Sequence, residues 1–427
     1  MNARDAALRA LTACRADGAW SDGALKQALS GLDARDAALA SRLCYGVLQN
    51  RMRIDFWLDG FLKGKTQPVV RDILRLAVYQ LRFSDKIPAS AAVNEAVEQA
   101  KRFANPAAAR FVNGVLRSFL RCPALPEPQE LSVRYSHPAE LTALLVKEFG
   151  AERAERLLQS HNEAPETVLQ VNTLKTDLPS LARALEQAGV QATPHPWLEN
   201  CLTVRGTGSL ERLEAFQRGW FYVQDAAARL AAMASDAEPG MRVLDCCAAP
   251  GGKSFAAALQ MQNRGTVLSC DIHPHKLRLI AAGAERLGIT CIETRLRDAR
   301  ETDGEALFDA VICDVPCSGL GVIRKKPDIR YRPLEQAARL PELQKTILAA
   351  QAAHVRPGGV LIYSTCTVLR RENQEVVTAF LEENPSFSPE TVHFPPLSGL
   401  PDAAMTTLLP SEQGTDGFFI CKLRRKH

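Results

Sequence analysis

The amino-acid sequence predicts an all-α N-terminal domain, a small α+β middle domain and a C-terminal α/β domain. Up to about residue 121, apolar residues recur at three- and four-residue spacing, which is the pattern of amphipathic helices. A proline-rich stretch over residues 122–128 then interrupts this pattern. From about residue 221, apolar strands, turns and helices alternate regularly, and this alternation predicts a doubly wound, mostly parallel sheet.

The composition is typical of a globular protein and argues against several functional classes. Hydrophobic residues make up 46% and charged residues 23% of the 427 residues. No apolar run reaches the roughly 18 residues of a membrane-spanning helix, and the N-terminus lacks the layout of a signal peptide. We therefore expect a cytoplasmic protein with no membrane partner. The 12 cysteines include no Cys-x-x-Cys pair, so we also expect no metal.

The N-terminal domain is predicted over residues 1–122 as a helical bundle. It carries 19 Lys and Arg against 11 Asp and Glu, whereas the remainder of the chain carries 33 against 37. This positive charge fits an RNA-binding module and a solvated helical surface equally well. The same two alternatives hold for Arg110, Arg117 and Arg121, which recur along one helix. The predicted helices lie over residues 37–48, 70–81, 88–103 and 107–120.

A linker separates this bundle from the middle domain, which is predicted over residues 129–220. Three prolines within 122–128 mark the boundary, because proline ends helices and stiffens the chain. A strand is predicted over 167–172, where β-branched and apolar residues cluster. Helices are predicted over 141–149, 151–159 and 178–188, the last closed by Gly189.

The C-terminal domain is predicted over residues 221–427. Its helices lie between strands, as in sheets whose parallel strands are joined by crossover helices. The predicted strands are 242–245, 266–271, 290–294, 310–314, 359–364 and a final one over 417–423.

Candidate cofactor-binding residues fall at the carboxyl ends of these strands, where doubly wound sheets bind ligands. The segment Cys247-Ala248-Ala249-Pro250-Gly251-Gly252-Lys253 has small residues that let a ligand approach the backbone and the next helix. It matches neither the dinucleotide pattern nor the phosphate-binding loop. Asp271 suits two ribose hydroxyls, Asp298 suits the edge of an adenine, and Asp314 ends a further strand. Caps of the following helices are the alternative, which weakens when every such strand ends in aspartate.

Two cysteines follow apolar strands on the same side of the predicted sheet. Cys317 lies in Asp314-Val315-Pro316-Cys317-Ser318, and Cys366 lies in Tyr363-Ser364-Thr365-Cys366. A loop that leads into a helix can favour the thiolate. Methylation of carbon 5 of cytosine requires such a group, because carbon 5 becomes nucleophilic only after a thiolate adds to carbon 6. Transfer to oxygen or nitrogen needs no covalent step, and a lone cysteine here would more readily be a packing residue.

Three catalytic segments resemble the signature motifs of the NOL/NOP/Sun family of RNA cytosine-5 methyltransferases: 245–254, 314–318 and 364–367. Segments 74–81, 91–97 and 111–117 resemble the NusB-like domain that is fused to that catalytic domain in the family. The resemblance covers almost the whole chain. It implies a NusB-like RNA-binding bundle, an RNA-recognition middle domain and a Rossmann-like class I methyltransferase domain that acts on a cytosine of 16S ribosomal RNA.

The resemblance also implies a role for each site residue. Cys366 would attack the cytosine and Cys317 would assist release of the methylated product, whereas in DNA cytosine-5 methyltransferases the Pro-Cys cysteine attacks. Asp314 would hydrogen-bond the ring edge, and Lys253 would orient the base or the neighbouring aspartate. The implied partner is RNA, and we expect a monomer. The residues implied for S-adenosyl-L-methionine are Cys247 to Lys253, Asp271, Asp298 and Asp314.

Two departures from the family pattern concern RNA contacts. Ala228 stands where relatives usually have serine, and Lys326 stands where many have histidine. The run Arg324-Lys325-Lys326 is expected to meet phosphates, with a solvated loop as the alternative. Three other functions remain open: methylation of another RNA such as tRNA, methylation of an exocyclic nitrogen, and an RNA-binding scaffold with an inactive methylase domain.

Overall fold

The computed structural model describes residues 1–16, 19–302, 304 and 307–427. Two compact units divide these residues. Unit 1 comprises Met1–Glu163 together with Ile323–Arg332, and unit 2 comprises Ala164–Val322 together with Pro333–His427. Within the described ranges, no helix is both long enough and apolar enough to cross a membrane.

Unit 1 is all-α, as the sequence predicts for residues 1–122, and it also includes helices that the sequence analysis assigned to the middle domain. The four predicted N-terminal helices are confirmed, three of them with longer bounds and α5 beginning one residue later, and two further helices precede them. Its helices are α1 (Ala3–Ala16), α2 (Ser21–Ala28), α3 (Ala34–Asp59), α4 (Pro68–Phe83), α5 (Ala89–Phe103), α6 (Pro106–Arg121), α7 (Leu131–Arg134), α8 (Ala139–Phe149) and α9 (Ala151–Ser160).

Helix α6 shows how the sequence defines these elements. Asn105 caps the helix, since its side chain accepts a hydrogen bond of 2.8 Å from the backbone N–H of Ala108. Pro106 occupies the first turn, where its missing N–H costs nothing. Val112, Leu116 and Phe119 recur on one face and are buried in the core of the bundle.

The segment 323–332 belongs to unit 1 and is held there by Arg330. This side chain is fully buried, and it donates to the carbonyl oxygens of Gln49 (3.1 Å) and His161 (3.2 Å) and to Oδ1 of Asn162 (2.8 Å). Burial lowers the pKa of Arg330 to about 10. The guanidinium thus satisfies carbonyls from three parts of the bundle.

Unit 2 contains a small antiparallel sheet built from β1 to β4, in the order β2-β3-β1-β4. Only β1 and the first helix beside it were predicted from the sequence. The other strands escaped prediction because they are short, and β2 is mostly polar. The elements are β1 (Thr167–Val171), α10 (Leu178–Gln187), β2 (Gln191–Pro194), β3 (Cys201–Arg205), α11 (Glu214–Gln217) and β4 (Phe221–Val223).

The large sheet of unit 2 has eight strands, seven of them in the order β10-β12-β9-β8-β5-β6-β7, while β11 pairs with β12. Its strands are β5 (Arg242–Asp245), β6 (Thr266–Asp271), β7 (Ile292–Leu296), β8 (Phe308–Asp314), β9 (Val355–Thr365), β10 (Phe387–Pro389), β11 (Met405–Leu408) and β12 (Phe418–Arg425). Its helices are α12 (Ala226–Met233), α13 (Gly252–Gln260), α14 (Pro274–Leu287), α15 (Leu340–Ala352), α16 (Gln374–Glu383) and α17 (Pro410–Gln413).

The strand directions bring the predicted site residues to one edge of this sheet. Strands β5 to β9 run parallel, whereas β10, β11 and β12 form antiparallel pairs. Because the carboxyl ends of parallel strands share an edge, the residues that follow β5, β6, β8 and β9 meet there. The predicted fold class is confirmed.

Candidate active site

The segment after β5 forms the first wall of the site. Gly251 has φ of +111°, in the left-handed region that side-chain-bearing residues rarely adopt. A Cβ atom at Gly251 would also lie 2.6 Å from the ring of Phe255. Helix α13 begins at Gly252, so its N-terminal backbone N–H groups face the same edge. The small residues predicted for a cofactor loop therefore form a tight turn into a helix N-terminus.

Asp245, the last residue of β5, is a buried carboxylic acid beneath this turn. Ser254 donates a hydrogen bond of 2.7 Å to its Oδ2 atom, and Ser269 donates one of 2.7 Å to Ser254. Its Oδ1 atom has no hydrogen-bond partner among the described residues. Burial raises the pKa of Asp245 to about 6, against the opposing effects of Ser254 and Lys253. Sequence analysis did not include Asp245 among the site residues.

Two of the aspartates predicted to bind the cofactor, Asp271 and Asp298, lie at the ends of neighbouring strands. Asp271 ends β6, is 6% exposed and accepts a hydrogen bond of 2.9 Å from the backbone N–H of His273. Asp298 follows β7 and forms an ion pair of 2.5 Å with Arg300, which lowers the pKa of Asp298. Both carboxylates thus lie at the predicted edge of the sheet. The second carboxylate oxygen of Asp271, Oδ2, lies 3.7 Å from the Nζ atom of Lys276.

Lys253 and Asp314 form the centre of the site. The Nζ atom of Lys253 lies 2.5 Å from Oδ2 of Asp314, and Ser364 donates a hydrogen bond of 3.0 Å to Oδ1 of the same carboxylate. The two carboxylate oxygens are therefore held from different elements, one from helix α13 and the other from strand β9. The Lys253 ammonium also lies 5.2 Å from the ring centroid of Phe418, within the range of a cation–π contact.

The charge on Lys253 is maintained by its neighbours. Burial alone would lower the pKa of this ammonium, but the charges of Asp314, Asp245 and Cys366 outweigh burial and raise the pKa. Lys253 therefore remains positively charged beside the thiol of Cys366.

Cys317 and Cys366 lie side by side at the ends of β8 and β9. Their Sγ atoms are 3.1 Å apart, and both cysteines are free thiols. A second contact joins the same loops, since the hydroxyls of Ser318 and Thr367 are 2.8 Å apart. Contact with Cys366, burial and the charges of Cys366 and Glu372 raise the pKa of Cys317 well above its ordinary value. Cys317 therefore holds its proton more tightly than an ordinary cysteine thiol does.

Two glycines hold the backbone of Cys366. The N–H of Gly321 donates a hydrogen bond of 2.9 Å to the carbonyl of Cys366, and the N–H of Gly417 donates one of 2.8 Å to the carbonyl of Gly321. A Cβ atom at Gly321 would lie 1.9 Å from the carbonyl oxygen of Gly417. Only glycine fits at this position without displacing the backbone around Cys366.

The structure brings the four predicted catalytic residues into two contacting pairs, Lys253 with Asp314 and Cys317 with Cys366. Cys247 to Gly252 form the turn beside them, while Asp271 and Asp298 lie at the next strand ends. Sequence analysis missed Ser364 and Glu372, although Ser364 lies within the Cys366 motif. No local pattern marks them, because Ser364 bonds Asp314, 50 residues away in the chain, and Glu372 bonds Ser318, 54 residues away.

The expectation that Arg324-Lys325-Lys326 meets phosphates needs correction at Arg324. Arg324 is only 5% exposed, so it cannot offer an open cation to a phosphate. Lys326 is exposed, and its Nζ atom lies 3.5 Å from Asp22 within unit 1. Arg324 was misjudged because a buried and an exposed arginine look alike in sequence, whereas phosphate contact by Lys325 and Lys326 stays a prediction. Among the described residues, no cluster of His, Cys, Asp or Glu could hold a metal ion.

Comparison with known protein families matches all three parts of the chain. Residues 232–424 match the family described as 16S rRNA methyltransferase RsmB/F, and residues 1–121 match the NusB family. Residues 137–211 match the ferredoxin-like domain of RsmF/B-like methyltransferases.

Full-length relatives and solved structures agree with these matches. A probable ribosomal RNA small subunit methyltransferase B of Bacillus subtilis is 39% identical, covering 99% of this chain and 98% of that protein. The ribosomal RNA small subunit methyltransferase B of Vibrio cholerae is 36% identical, covering 100% and 98%. The crystal structure of a protein called PH0851 has a TM-score of 0.81 at 25% identity and covers 98% of each chain.

Proposed function

The chain belongs to the family of ribosomal RNA small subunit methyltransferases B, and on that premise we propose that it methylates carbon 5 of a cytosine in 16S ribosomal RNA. The observation that carries the choice of carbon 5 is the cysteine pair. Two free thiols 3.1 Å apart beside a lysine–aspartate ion pair suit a reaction with a covalent sulfur step. Methylation of an exocyclic nitrogen would leave both thiols idle.

We propose Cys366 as the nucleophile and Cys317 as the residue that assists release. The Cys366 thiolate would form a bond to carbon 6 of the cytosine, which makes carbon 5 nucleophilic toward the methyl group that S-adenosyl-L-methionine would supply, with the cofactor's sulfur as the leaving group. The proton on carbon 5 next passes to a base, the sulfur–carbon bond breaks and the Cys366 thiolate returns. The elevated pKa of Cys317 supports this division, because a thiol that holds its proton is a poor first nucleophile and, once ionised, a stronger base.

Asp314 is proposed to select cytosine. Its carboxylate is fixed by Lys253 and Ser364, so it can accept a hydrogen bond from the exocyclic amine of cytosine. Uracil carries an acceptor at that position and would face the carboxylate unfavourably. Lys253 keeps Asp314 oriented and offers positive charge beside Cys366.

The residues at the neighbouring strand ends fit S-adenosyl-L-methionine, which when bound supplies the electrophilic methyl group. The turn at Gly251 lets a ligand approach the backbone, and Oδ1 of Asp245, which no described residue bonds, leaves an acceptor beneath it. Asp271 is proposed to bind the ribose hydroxyls and Asp298 the adenine edge. The residues proposed for the cofactor are Cys247 to Lys253, Asp271, Asp298 and Asp314.

RNA binding is proposed to involve all three sequence ranges. Residues 1–122 would bind RNA, residues 129–220 would help recognise it, and residues 221–427 would carry the chemistry. Exposed Arg110, Arg117 and Arg121 on α6 support a phosphate-binding face in the first range. A base must leave its stack to reach the cysteines, so a single-stranded or loop site is favoured.

The test is methyl transfer to purified RNA. The protein is incubated with methyl-labelled S-adenosyl-L-methionine and either 16S ribosomal RNA or tRNA, and the digested nucleosides are separated by chromatography. We expect 5-methylcytidine from 16S ribosomal RNA, none with Cys366→Ala, and unchanged yield with Cys122→Ala, which removes a thiol of the linker. Label in an exocyclic N-methylcytidine, or in tRNA alone, would overturn the proposal.

A further inference from the structure

Glu372 is a fully buried carboxylate beside the cysteine pair that no step above uses. It lies in a short 3-10 turn, Arg370–Glu372, that follows the Cys366 loop, and its side chain is 0% exposed. Its Oε1 atom has no hydrogen-bond partner among the described residues. A buried carboxylate with an unsatisfied oxygen is costly to keep, so its presence calls for a physical reason.

The other carboxylate oxygen holds the backbone next to Cys317. Oε2 accepts a hydrogen bond of 2.8 Å from the backbone N–H of Ser318 and one of 3.1 Å from the side-chain amide of Gln344. The same Gln344 nitrogen donates 2.9 Å to the carbonyl of Pro316. The peptide groups on both sides of Cys317 are therefore fixed by one buried Glu–Gln pair.

Glu372 is in turn held by the strand that carries Cys366. The hydroxyl of Tyr363, on β9, donates a hydrogen bond of 2.6 Å to the carbonyl oxygen of Glu372. A series of hydrogen bonds thus connects the strand that carries Cys366, through Glu372, to the Cys317 loop. These bonds hold together two loops whose free thiols lie 3.1 Å apart with no covalent bond between them.

We propose that Glu372 is a positioning residue for the methyl-transfer reaction: its carboxylate fixes the Cys317 loop against Cys366 and places a negative charge beside the Cys317 thiol. This inference rests on the proposed function only where it assigns Cys366 to attack and Cys317 to release. The hydrogen bonds of Glu372 and its charge beside Cys317 do not depend on that function.

The groups that act on the Cys317 sulfur come from several elements. Cys366 has the largest effect and, with Glu372, favours the neutral thiol, whereas a hydrogen bond from the backbone of Gly319 favours the thiolate. From β9, Tyr363 presents a neutral phenol whose own pKa is raised by burial. From α15, Gln344 is uncharged. The cation of the site, Lys253, is engaged by Asp314 and acts on Cys366.

The first test measures the ionisation of Cys317 without any methyl transfer. In the full-length Cys366→Ala protein, the rate of alkylation of Cys317 by iodoacetamide is followed against pH by peptide mass spectrometry. Adding Glu372→Gln, which keeps an oxygen for the Ser318 N–H, should lower the alkylation midpoint by about one pH unit. Glu375→Gln, an exposed glutamate on α16, is the matched control and should leave the midpoint unchanged.

The second test uses the active enzyme. Glu372→Gln with both cysteines intact should accumulate less covalent protein–RNA adduct than the wild type on a denaturing gel, because a larger fraction of Cys317 is then ionised and can take the proton whose removal allows release. An unchanged midpoint together with unchanged adduct would overturn the inference. A midpoint shift in a protein that methylates no RNA would refute the proposed function and leave the role of Glu372 standing.

A second variant covers the case in which Glu372→Gln does not fold. Gln344→Leu removes the amide that bridges Pro316 and Glu372 but leaves the carboxylate in place. The Cys317 midpoint should then stay high or rise, and release of the adduct should slow because the loop loosens. A fall in the midpoint would contradict the assigned charge effect.

Discussion

The ammonium of Lys253 lies 2.5 Å from the carboxylate of Asp314, and Ser364 holds the other oxygen of that carboxylate at 3.0 Å. The two charged residues come from different elements, the first turn of α13 and the end of β8. This pair orients the group proposed to recognise the base and places a cation beside Cys366.

Replacing Lys253 by methionine should therefore slow catalysis on the order of 100-fold in kcat, the usual cost of removing one preorganised charge from an active site. Single-turnover methylation of 16S ribosomal RNA measures the effect. Lys345→Met removes a half-buried lysine of α15 that pairs with Glu342 and should leave the rate unchanged. A Lys253→Met enzyme as fast as the wild type would show that the ion pair has no part in the reaction.

The buried Asp245 predicts an unusual dependence of stability on pH. Its pKa is raised to about 6 in the folded protein, above the value of 3.8 for an unperturbed aspartate, so the folded state binds the proton more tightly. Stability therefore falls as pH rises from about 4 through 6, and the full cost of ionisation, about 3 kcal/mol, is present above that range.

Asp245→Asn should remove this cost, since the amide oxygen can still accept from Ser254. Thermal unfolding should show the variant to be more stable than the wild type at pH 8, with a difference that shrinks toward pH 4. Equal stability of the two proteins at both pH values would mean that Asp245 ionises without penalty.

The backbone contact at Gly321 predicts a loss of activity from a single methyl group. In Gly321→Ala the new Cβ would lie 1.9 Å from the carbonyl of Gly417 and 2.8 Å from that of Cys366, so the Cys366 loop must move. We expect kcat to fall by at least about 100-fold, because misplacing a reacting group by about 1 Å costs that much. Gly114→Ala meets nothing within 4 Å and should leave the activity unchanged.

The buried hydrogen bonds of Arg330 predict that its replacement destabilises unit 1. Arg330→Met would leave the buried carbonyls of Gln49 and His161 without their donor, and we expect unit 1 to lose about 3 kcal/mol or more of stability. Hydrogen exchange of the helices α3 and α9 would report the loss. Arg339→Met, at an exposed position, is the control and should change neither helix.

Sequence patterns predicted the framework of the site better than its contacts. The bounds of β5 and β6 match the prediction because each strand has a short apolar core and ends in an aspartate, Asp245 or Asp271. Strand β9 begins at Val355, not at residue 359 as predicted, because Pro357 and the glycines beside it weaken a strand pattern.

The contacts that escaped prediction join residues distant in the chain. Glu372 looks like an ordinary polar residue of a helical turn, and only its bond to Ser318, 54 residues away, shows its place beside Cys317. The buried state of Arg324 was equally hidden, because local charge patterns carry no information about which unit a loop packs in. The family resemblance implies the roles of the two cysteines, whereas the distance between their sulfur atoms could be known only from the structure.

The most direct test of the central claim is the fate of RNA-bound protein in the two cysteine variants. Each full-length variant is incubated with 16S ribosomal RNA and S-adenosyl-L-methionine and resolved on a denaturing gel. The account predicts no covalent adduct and no 5-methylcytidine with Cys366→Ala, and a persistent adduct with Cys317→Ala, because attack then proceeds without assisted release. An adduct or methylated cytosine in the Cys366→Ala protein would contradict the assignment of the nucleophile.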